Sequence, residues 1–471
     1  MTYPPGFHGE LSAILGDGGL RAGAALGLLD PGMHPDNLRA QLMARPADTH
    51  AAARVLAVCA RSGVGVVPQG GRTGLSGGAC TQPAELIMSL DRMNHIERID
   101  VASRTAIVEA GVTLGALEEA IAPHGLSAGI DLGARGSATI GGMVATNAGG
   151  IEAFRHGTMR ERVLGLEVAL ASGEIVTELS RIRKDNAGLA LRQLFIGSEG
   201  TLGVITRVVL SLVPQNGVRH TALALVPDLD AAIRVMRAVE ALPHCVLKAA
   251  ELMSGNHLAL TARALGITQL AALPDAAFGL LIAVGGADDA TPGPALQDAL
   301  ERAVEQGLVL DCLLPKNAAE ERDLWRVRED WAVDRTHPGG LWYDVSVPID
   351  ALARYMTGLQ SRLVQHDAAL GVYVVGHLAD GNVHLTINAA RPISDRYAEI
   401  APLVYQGLRE LGGSFSAEHG IGLEKRASLE QWSGAAAMRL MRGVKALYDP
   451  AGIMNPGKVL APLDQSPAQE R

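Results

Sequence analysis
The stretch Val66-Val67-Pro68-Gln69-Gly70-Gly71-Arg72-Thr73-Gly74-Leu75-Ser76-Gly77-Gly78 decides how this chain is read. A short apolar strand runs into a turn holding the glycines 70, 71, 74, 77 and 78. Without a Cβ, glycine lets backbone N–H groups converge on one concavity. Such a nest binds phosphate oxygens, and Arg72, Thr73 and Ser76 add a charge and hydroxyls. The segment therefore reads as a cradle for a phosphorylated cofactor. Two further small-residue stretches, 133–150 and 195–205, would let a large flat ligand lie close to backbone. None is a G-x-G-x-x-G turn between strand and helix, so a Rossmann dinucleotide site is not indicated. Gly452 to Val459 approximates a phosphate-binding P-loop, but Val459 stands where the magnesium-binding hydroxyl belongs, and the segment reads as a turn.

The 471 residues are 48% hydrophobic, enough for two or three domains. Net charge is −9 with acids and bases interspersed, so a nucleic-acid footprint is not expected. No apolar run reaches the roughly 20 residues of a membrane span, and the N-terminus does not read as a secretory signal. Cys59, Cys80, Cys245 and Cys312 show no paired spacing and read as reduced thiols, which sets the expectation of a cytoplasmic protein.

Helical spacing runs over 47–62, and strands are expected at 64–68, 86–90 and 105–110, with a helix at 114–121. Residues 164–179 read as a hairpin about Ser172-Gly173. A β-branched run stops at Pro214, where a domain boundary is expected. Beyond it, strands and helices alternate: strands at 220–226, 246–251, 280–284, 308–311, 344–347, 372–375 and 383–388, and helices at 229–242, 295–306 and 350–365. This predicts an α+β fold with an antiparallel sheet covered by helices. A helix is expected at 435–448, and disorder after Pro462.

The second constellation is Gly376-His377-Leu378-Ala379-Asp380-Gly381-Asn382-Val383-His384, followed by Glu418-His419-Gly420. If Asp380-Gly381 makes a two-residue turn, His377 pairs directly with His384 across the hairpin, on one face. Two imidazoles with Glu418 would hold a divalent ion with open positions. That ligand set suits zinc first, or manganese or iron. In an extended segment His419 would diverge from Glu418 and face substrate as a general base.

In these motifs the chain resembles the FAD-dependent D-2-hydroxy-acid dehydrogenases, the family of D-lactate and D-2-hydroxyglutarate dehydrogenases and the glycolate oxidase catalytic subunit. The resemblance is carried by residues 68–74, Ile140-Gly141-Gly142, Asn147 to Gly150, Gly197 to Gly203, 377–384, 418–420 and Asn455-Pro456-Gly457-Lys458. It implies a PCMH-type (vanillyl-alcohol-oxidase-like) FAD-binding domain at 35–214 after an N-terminal segment 1–34. A substrate or cap domain with the metal site follows at 215–425, and a C-terminal helical segment 426–471 returns to the FAD domain. It implies pyrophosphate held at Pro68, Gly70, Gly71, Arg72, Thr73, Gly74, Ser76, Gly77 and Gly78. The flavin would be lined by Ser137, Gly141, Gly142, Thr146, Gly150, Glu199 and Ile205, with Gly133, Ala145, Gly203 and Asn455 also binding the cofactor. His377, His384 and Glu418 match metal ligands, His419 the base, and Arg328 an arginine that clamps the substrate carboxylate.

There are departures from the D-2-hydroxyglutarate pattern: Trp342 replaces a lysine, Ala332 a threonine and Thr386 an asparagine. Each removes a polar contact to the far end of a diacid and favours a less polar side chain. The reaction implied is oxidation of a D-2-hydroxy acid to the 2-oxo acid. No second redox motif is present, so an external acceptor is implied: an electron-transfer flavoprotein, a quinone or a cytochrome. The alternatives are an oxidase using O₂ and a non-catalytic flavin electron-transfer subunit. A homodimer is compatible with the sequence, which does not fix the assembly.

Overall fold
The computed structural model describes residues 3–215, 217–271 and 277–462. The segment after Pro462, expected to be disordered, lies outside the described residues. The chain forms two compact units: Met1–Gly150, His156–Gln215 and Glu418–Arg471 make the first, and Ile151–Arg155 with Asn216–Ala417 the second. The chain returns to the first unit at Glu418 rather than at 426.

In the first unit, β1 (Leu20–Ala22), β2 (Leu42–Ala44), β3 (Val66–Gln69) and β4 (Leu86–Ser89) form a sheet ordered β1-β2-β4-β3. Strand β4 is parallel to β2 and β3. Parallel strands need crossover connections, and the helix Thr49–Ser62 carries the chain from β2 over to β3, on the far side of β4. Asp48 caps that helix by accepting from the Ala51 amide, and Gly63 ends it at φ +62°. Its apolar face, Ala52, Val55, Leu56 and Cys59, is fully buried against the sheet core.

A second sheet of this unit contains β5 (Ile96–Asp100), β6 (Thr105–Glu109), β8 (Val163–Ala169), β9 (Ile175–Glu178) and β10 (Val204–Ser211), ordered β5-β6-β10-β8-β9 and antiparallel throughout. Strands β7 (Leu126–Ser127) and β11 (Val213–Pro214) pair separately. The helix Leu114–Ile121 buries Leu114, Leu117 and Ile121 in the core of this second sheet.

The second unit is one sheet of β12 (His220–Val226), β13 (Cys245–Ser254), β14 (Phe278–Gly286), β15 (Asp311–Leu313), β16 (Leu341–Ser346), β17 (Gly371–His377) and β18 (Asn382–Asn388), ordered β15-β12-β14-β13-β17-β18-β16. Every pairing is antiparallel. Strand β15 starts later than the 308–311 expected, because the amides of Leu308 and Val309 still bond Ala303 and finish the preceding helix. Side chains alternate across β16, β17 and β18. Tyr343, Val345, Val374, Val383 and Leu385 are buried on one face. Asp344, His384, Val375 and His377 share the other with Glu251 and Met253 of β13. The helices Gly255–Ala264 and Ala318–Glu329 pack with Met253 and Val375 there.

His257, on the first of those helices, is buried with Nε2 3.2 Å from the Val327 carbonyl. Burial pushes its imidazole down from 6.5 to about 4. The unfolded histidine takes up its proton first as pH falls. The stability this neutral group contributes is therefore complete above about pH 6.5 and lost as pH drops toward 4, a loss on the order of 3 kcal/mol. Urea unfolding followed between about pH 7 and pH 4 should show this fall, and His257→Gln should flatten it. An equally steep fall in that variant refutes the assignment.

Candidate active site
The loop leaving β3 packs its glycines for different reasons. A Cβ on Gly70 would meet Thr139 Oγ1 at 2.1 Å, and one on Gly71 would meet the Ser137 carbonyl at 1.9 Å. These two glycines let the loop lie directly on the second glycine-rich stretch. A Cβ on Gly74, Gly133 or Gly136 would meet nothing within 4 Å. Among the described residues, no protein group accepts a hydrogen bond from the amides of Gly70 to Gly78. Backbone donors on a loop open at Gly74 fit the phosphates of a dinucleotide.

The side chains of this loop do other work. Arg72, at φ 55°, donates Nε to the Asp30 carbonyl at 3.1 Å, and so leans on the Asp30–Met33 segment. Ser76 is buried and its Oγ donates to the Gly420 carbonyl at 3.3 Å. Thr73 is half-buried in the same loop, and Pro68 packs beneath Gly200, whose Cβ would lie 3.0 Å from Pro68 Cγ.

Thr139 caps the helix Ile140–Thr146 by accepting from Gly142 N. Gly141 sits where a Cβ would strike that of Ala110 at 2.5 Å, and Thr146 donates to the Gly142 carbonyl. Ala145 holds the next segment through its carbonyl, which accepts from Glu199 N at 2.7 Å. Gly150, at φ +106°, lies against the Asp131 carbonyl. Gly203 abuts Val168, and Ile205 is buried in the sheet core.

Glu199 has a task the sequence did not suggest. Its carboxylate accepts from Ile421 N at 2.7 Å and from Gly422 N at 2.8 Å. Burial pushes this carboxyl above its ordinary range, against the pull of those two amides. Asn455 Nδ2 donates to the carbonyls of Gly78 and Glu199, at 2.9 and 2.7 Å. The residues following His419 are thus fastened to the cradle from both sides. Gly420 is obligatory, because φ is +75° and a Cβ would lie 2.8 Å from Glu199 Oε1. Glu418 and His419 do not diverge as expected: His419 Nε2 lies 3.8 Å from Glu418 Oε1, because the segment bends instead of extending.

In the second unit the hairpin register corrects the expected one. His377 pairs with Asn382, and His384 with Val375. The turn is four residues, Leu378 to Gly381, with the amides of Asp380 and Gly381 both bonding the His377 carbonyl. Gly381, at φ +76°, lies so close to the Val347 carbonyl that a Cβ would approach it to 1.9 Å. A shift of two residues keeps each side chain on its original face. The two imidazoles remain neighbours, with centroids 5.5 Å apart and planes at 87°.

Two carboxylates missed in the sequence organise this face. Glu251 lies directly across from His377, and Asp344 across from His384. Glu251 is fully buried; Oε1 is 2.9 Å from His377 Nδ1, and Oε2 accepts from Arg328 Nε at 2.8 Å. Burial pushes Glu251 up, but His377 and Arg328 together outweigh it and hold the group below the ordinary carboxylate range. The Glu251 carboxylate thus holds the His377 ring through Nδ1, which leaves Nε2 as the nitrogen outside that contact. That is the usual arrangement of a metal-binding histidine. His384 Nδ1 lies 3.6 Å from Asp344 Oδ1, and Asp344 Oδ2 accepts from Ala417 N at 3.0 Å. The available signal was a single carboxylate inside each apolar strand, Ala250-Glu251-Leu252 and Tyr343-Asp344-Val345, because a buried charge demands partners. Arg328 is positioned by the last turn of the helix Ala318–Glu329, which Asn317 caps.

Residues 40–178 match the family described as "FAD binding domain", and residues 215–459 the family "FAD linked oxidases, C-terminal domain". The chain is 36% identical over 421 residues to "D-2-hydroxyglutarate dehydrogenase, mitochondrial" of Bos taurus, covering 89% of this chain and 77% of that relative. It is also 36% identical to a D-2-hydroxyglutarate dehydrogenase of Xanthomonas citri pv. viticola, over 85% of each chain. Among solved structures, p-cresol methylhydroxylase shares the fold with a TM-score of 0.73 at 17% identity, over 98% of both chains. Alkyldihydroxyacetonephosphate synthase does so at 0.71 and 16%, over 97% of this chain and 85% of the other.

The protein is therefore a flavoprotein oxidoreductase with a PCMH-type FAD-binding domain in an α+β fold. It belongs to the FAD-dependent D-2-hydroxy-acid dehydrogenase family. The expectation of a cytoplasmic location is overturned, because the relatives from Bos taurus and Arabidopsis thaliana are named as mitochondrial. Reduced cysteines do not separate one reducing compartment from another. Among the described residues no helix is long and apolar enough to cross a membrane.

Proposed function
We propose that the enzyme oxidises a D-2-hydroxy acid whose side chain is less polar than that of 2-hydroxyglutarate. In this reading Arg328 binds the carboxylate, His419 accepts the hydroxyl proton, and His377, His384 and Glu418 hold a divalent ion, zinc first. FAD held by the cradle would supply the hydride acceptor for the Cα hydrogen, and an external acceptor would take the electrons on. The ion would lower the pKa of the substrate hydroxyl.

The observation that carries the reading is the buried Glu251. One carboxylate aims both the guanidinium that would hold the acid and the imidazole that would hold the ion. Arg328 bonds Glu251 through Nε, so its two Nη groups are outside that bond and suit a carboxylate. Glu418 directly follows Ala417, the residue whose amide Asp344 holds. His419 is the residue before Gly420, which Ser76 and Glu199 fix in place. Names of relatives make D-2-hydroxyglutarate one substrate to test, whereas Trp342, Ala332 and Thr386 argue for a less polar acid.

Anaerobic addition of D- and L-2-hydroxy acids to the yellow protein tests the reaction. Bleaching of the flavin by D-acids is expected, and bleaching only by L-acids or by none refutes it. Hydrogen peroxide in air at the rate of substrate turnover would identify an oxidase instead. His377→Ala should lose bound metal and activity together, and full metal content in that variant by elemental analysis removes His377 from the ligand set.

A further inference from the structure
We propose that Trp331 and Trp342 form a wall for the substrate's side chain, so that the preferred substrate is a 2-hydroxy acid carrying an aromatic ring. This rests on the D-2-hydroxy-acid oxidation proposed above. Both residues belong to the second unit. Trp342 lies opposite Thr386, and Asp344 lies opposite His384, so the indole stands one row beyond the imidazole on the same face. Two residues along a strand span roughly 7 Å. That distance matches a benzyl group projecting from a carbon held beside His384.

Trp331 and Trp342 are 44% and 42% exposed, with ring centroids 4.9 Å apart and planes at 42°. Large aromatic surface left in water beside polar binding groups marks a place where a ligand stacks. Trp342 Nε1 donates to Asp334 Oδ1 at 2.6 Å. That bond satisfies the one polar edge of the indole and fixes its plane, so the surface offered is apolar. The Asp334 carboxylate also repels a second substrate carboxylate arriving at this row. Tyr373, across from Thr386, continues the aromatic row. Its hydroxyl is 3.1 Å from His337 Nε2.

The test is kcat/KM of the holoenzyme with a dye acceptor for D-3-phenyllactate, D-lactate and D-2-hydroxyglutarate. D-3-phenyllactate is expected to lead the other two by about 10-fold or more. Trp342→Ala should lower the phenyllactate value about 10-fold, mainly through KM and by more than it lowers the lactate value, while Trp342→Phe keeps the preference. D-3-phenyllactate should also quench tryptophan emission of the parent more than that of Trp342→Ala. A lead for D-2-hydroxyglutarate, or an equal loss for all three acids in Trp342→Ala, overturns the wall and leaves the oxidation standing. Failure of every 2-hydroxy acid to reduce the flavin overturns both.

Discussion

His419→Ala is expected to lower turnover about 10²- to 10⁴-fold, the usual worth of a positioned general base, while the purified protein stays yellow. The colour should persist because the backbone of the cradle does not depend on this imidazole. Its walls are Gly70 to Gly78 lying on Ser137 and Thr139, and it is braced by Glu199 and Asn455. The loop should also keep its course, since Glu199 grips the amides of Ile421 and Gly422 and Ser76 bonds the Gly420 carbonyl. The measurements are single-turnover flavin reduction and flavin content per protein. A loss of turnover with bound flavin and substrate affinity retained isolates the chemical step. Turnover within a few-fold of the parent would mean that another group takes the proton.

Glu251→Ala is expected to be the most damaging change in the second unit. It strands the Arg328 guanidinium, only 12% exposed, without its carboxylate and removes the acceptor that orients His377. Breaking a buried ion pair from one side costs about 3–5 kcal/mol. Stability should fall by that order in urea titrations, and metal content and turnover should fall with it. Glu251→Gln keeps the shape and one acceptor, so it should lie between the parent and the alanine variant in stability. The direction with pH follows from the depressed carboxyl. The stability it contributes is complete above the ordinary glutamate range and is lost as pH falls through the lower folded value. A Glu251→Ala protein within about 1 kcal/mol of the parent would deny the trio its role.

Most of the element order is legible in residue periodicity, because buried faces repeat every two or every 3.6 residues. The helix Thr49–Ser62 and the strand β18 carry that signal plainly. The hairpin at 377–384 shows where local reading stops. Asp380-Gly381 names a turn, but its length is set by the contact of Gly381 with Val347, far away in sequence. Reading each glycine as a phosphate donor fails for a similar reason. Gly70, Gly71 and Gly141 are demanded by chain packing, while Gly74 opens outward, and only neighbours distant in sequence distinguish the two. The partners of Glu251 and Asp344 across the sheet, and the loop amides that Glu199 grips, stayed hidden because contacts between segments distant in the chain leave no mark at a fixed spacing.

The fastening of residues 421 and 422 by Glu199 has a modular consequence. It fixes the proposed proton acceptor to the same folded body as the flavin cradle, whereas Arg328, Glu251 and the tryptophan pair belong to the other. Electron handling and choice of acid are thereby inherited on different stretches of chain. A chimera that takes residues 216–417 from a relative should change which acid is oxidised and keep the flavin spectrum of the present protein.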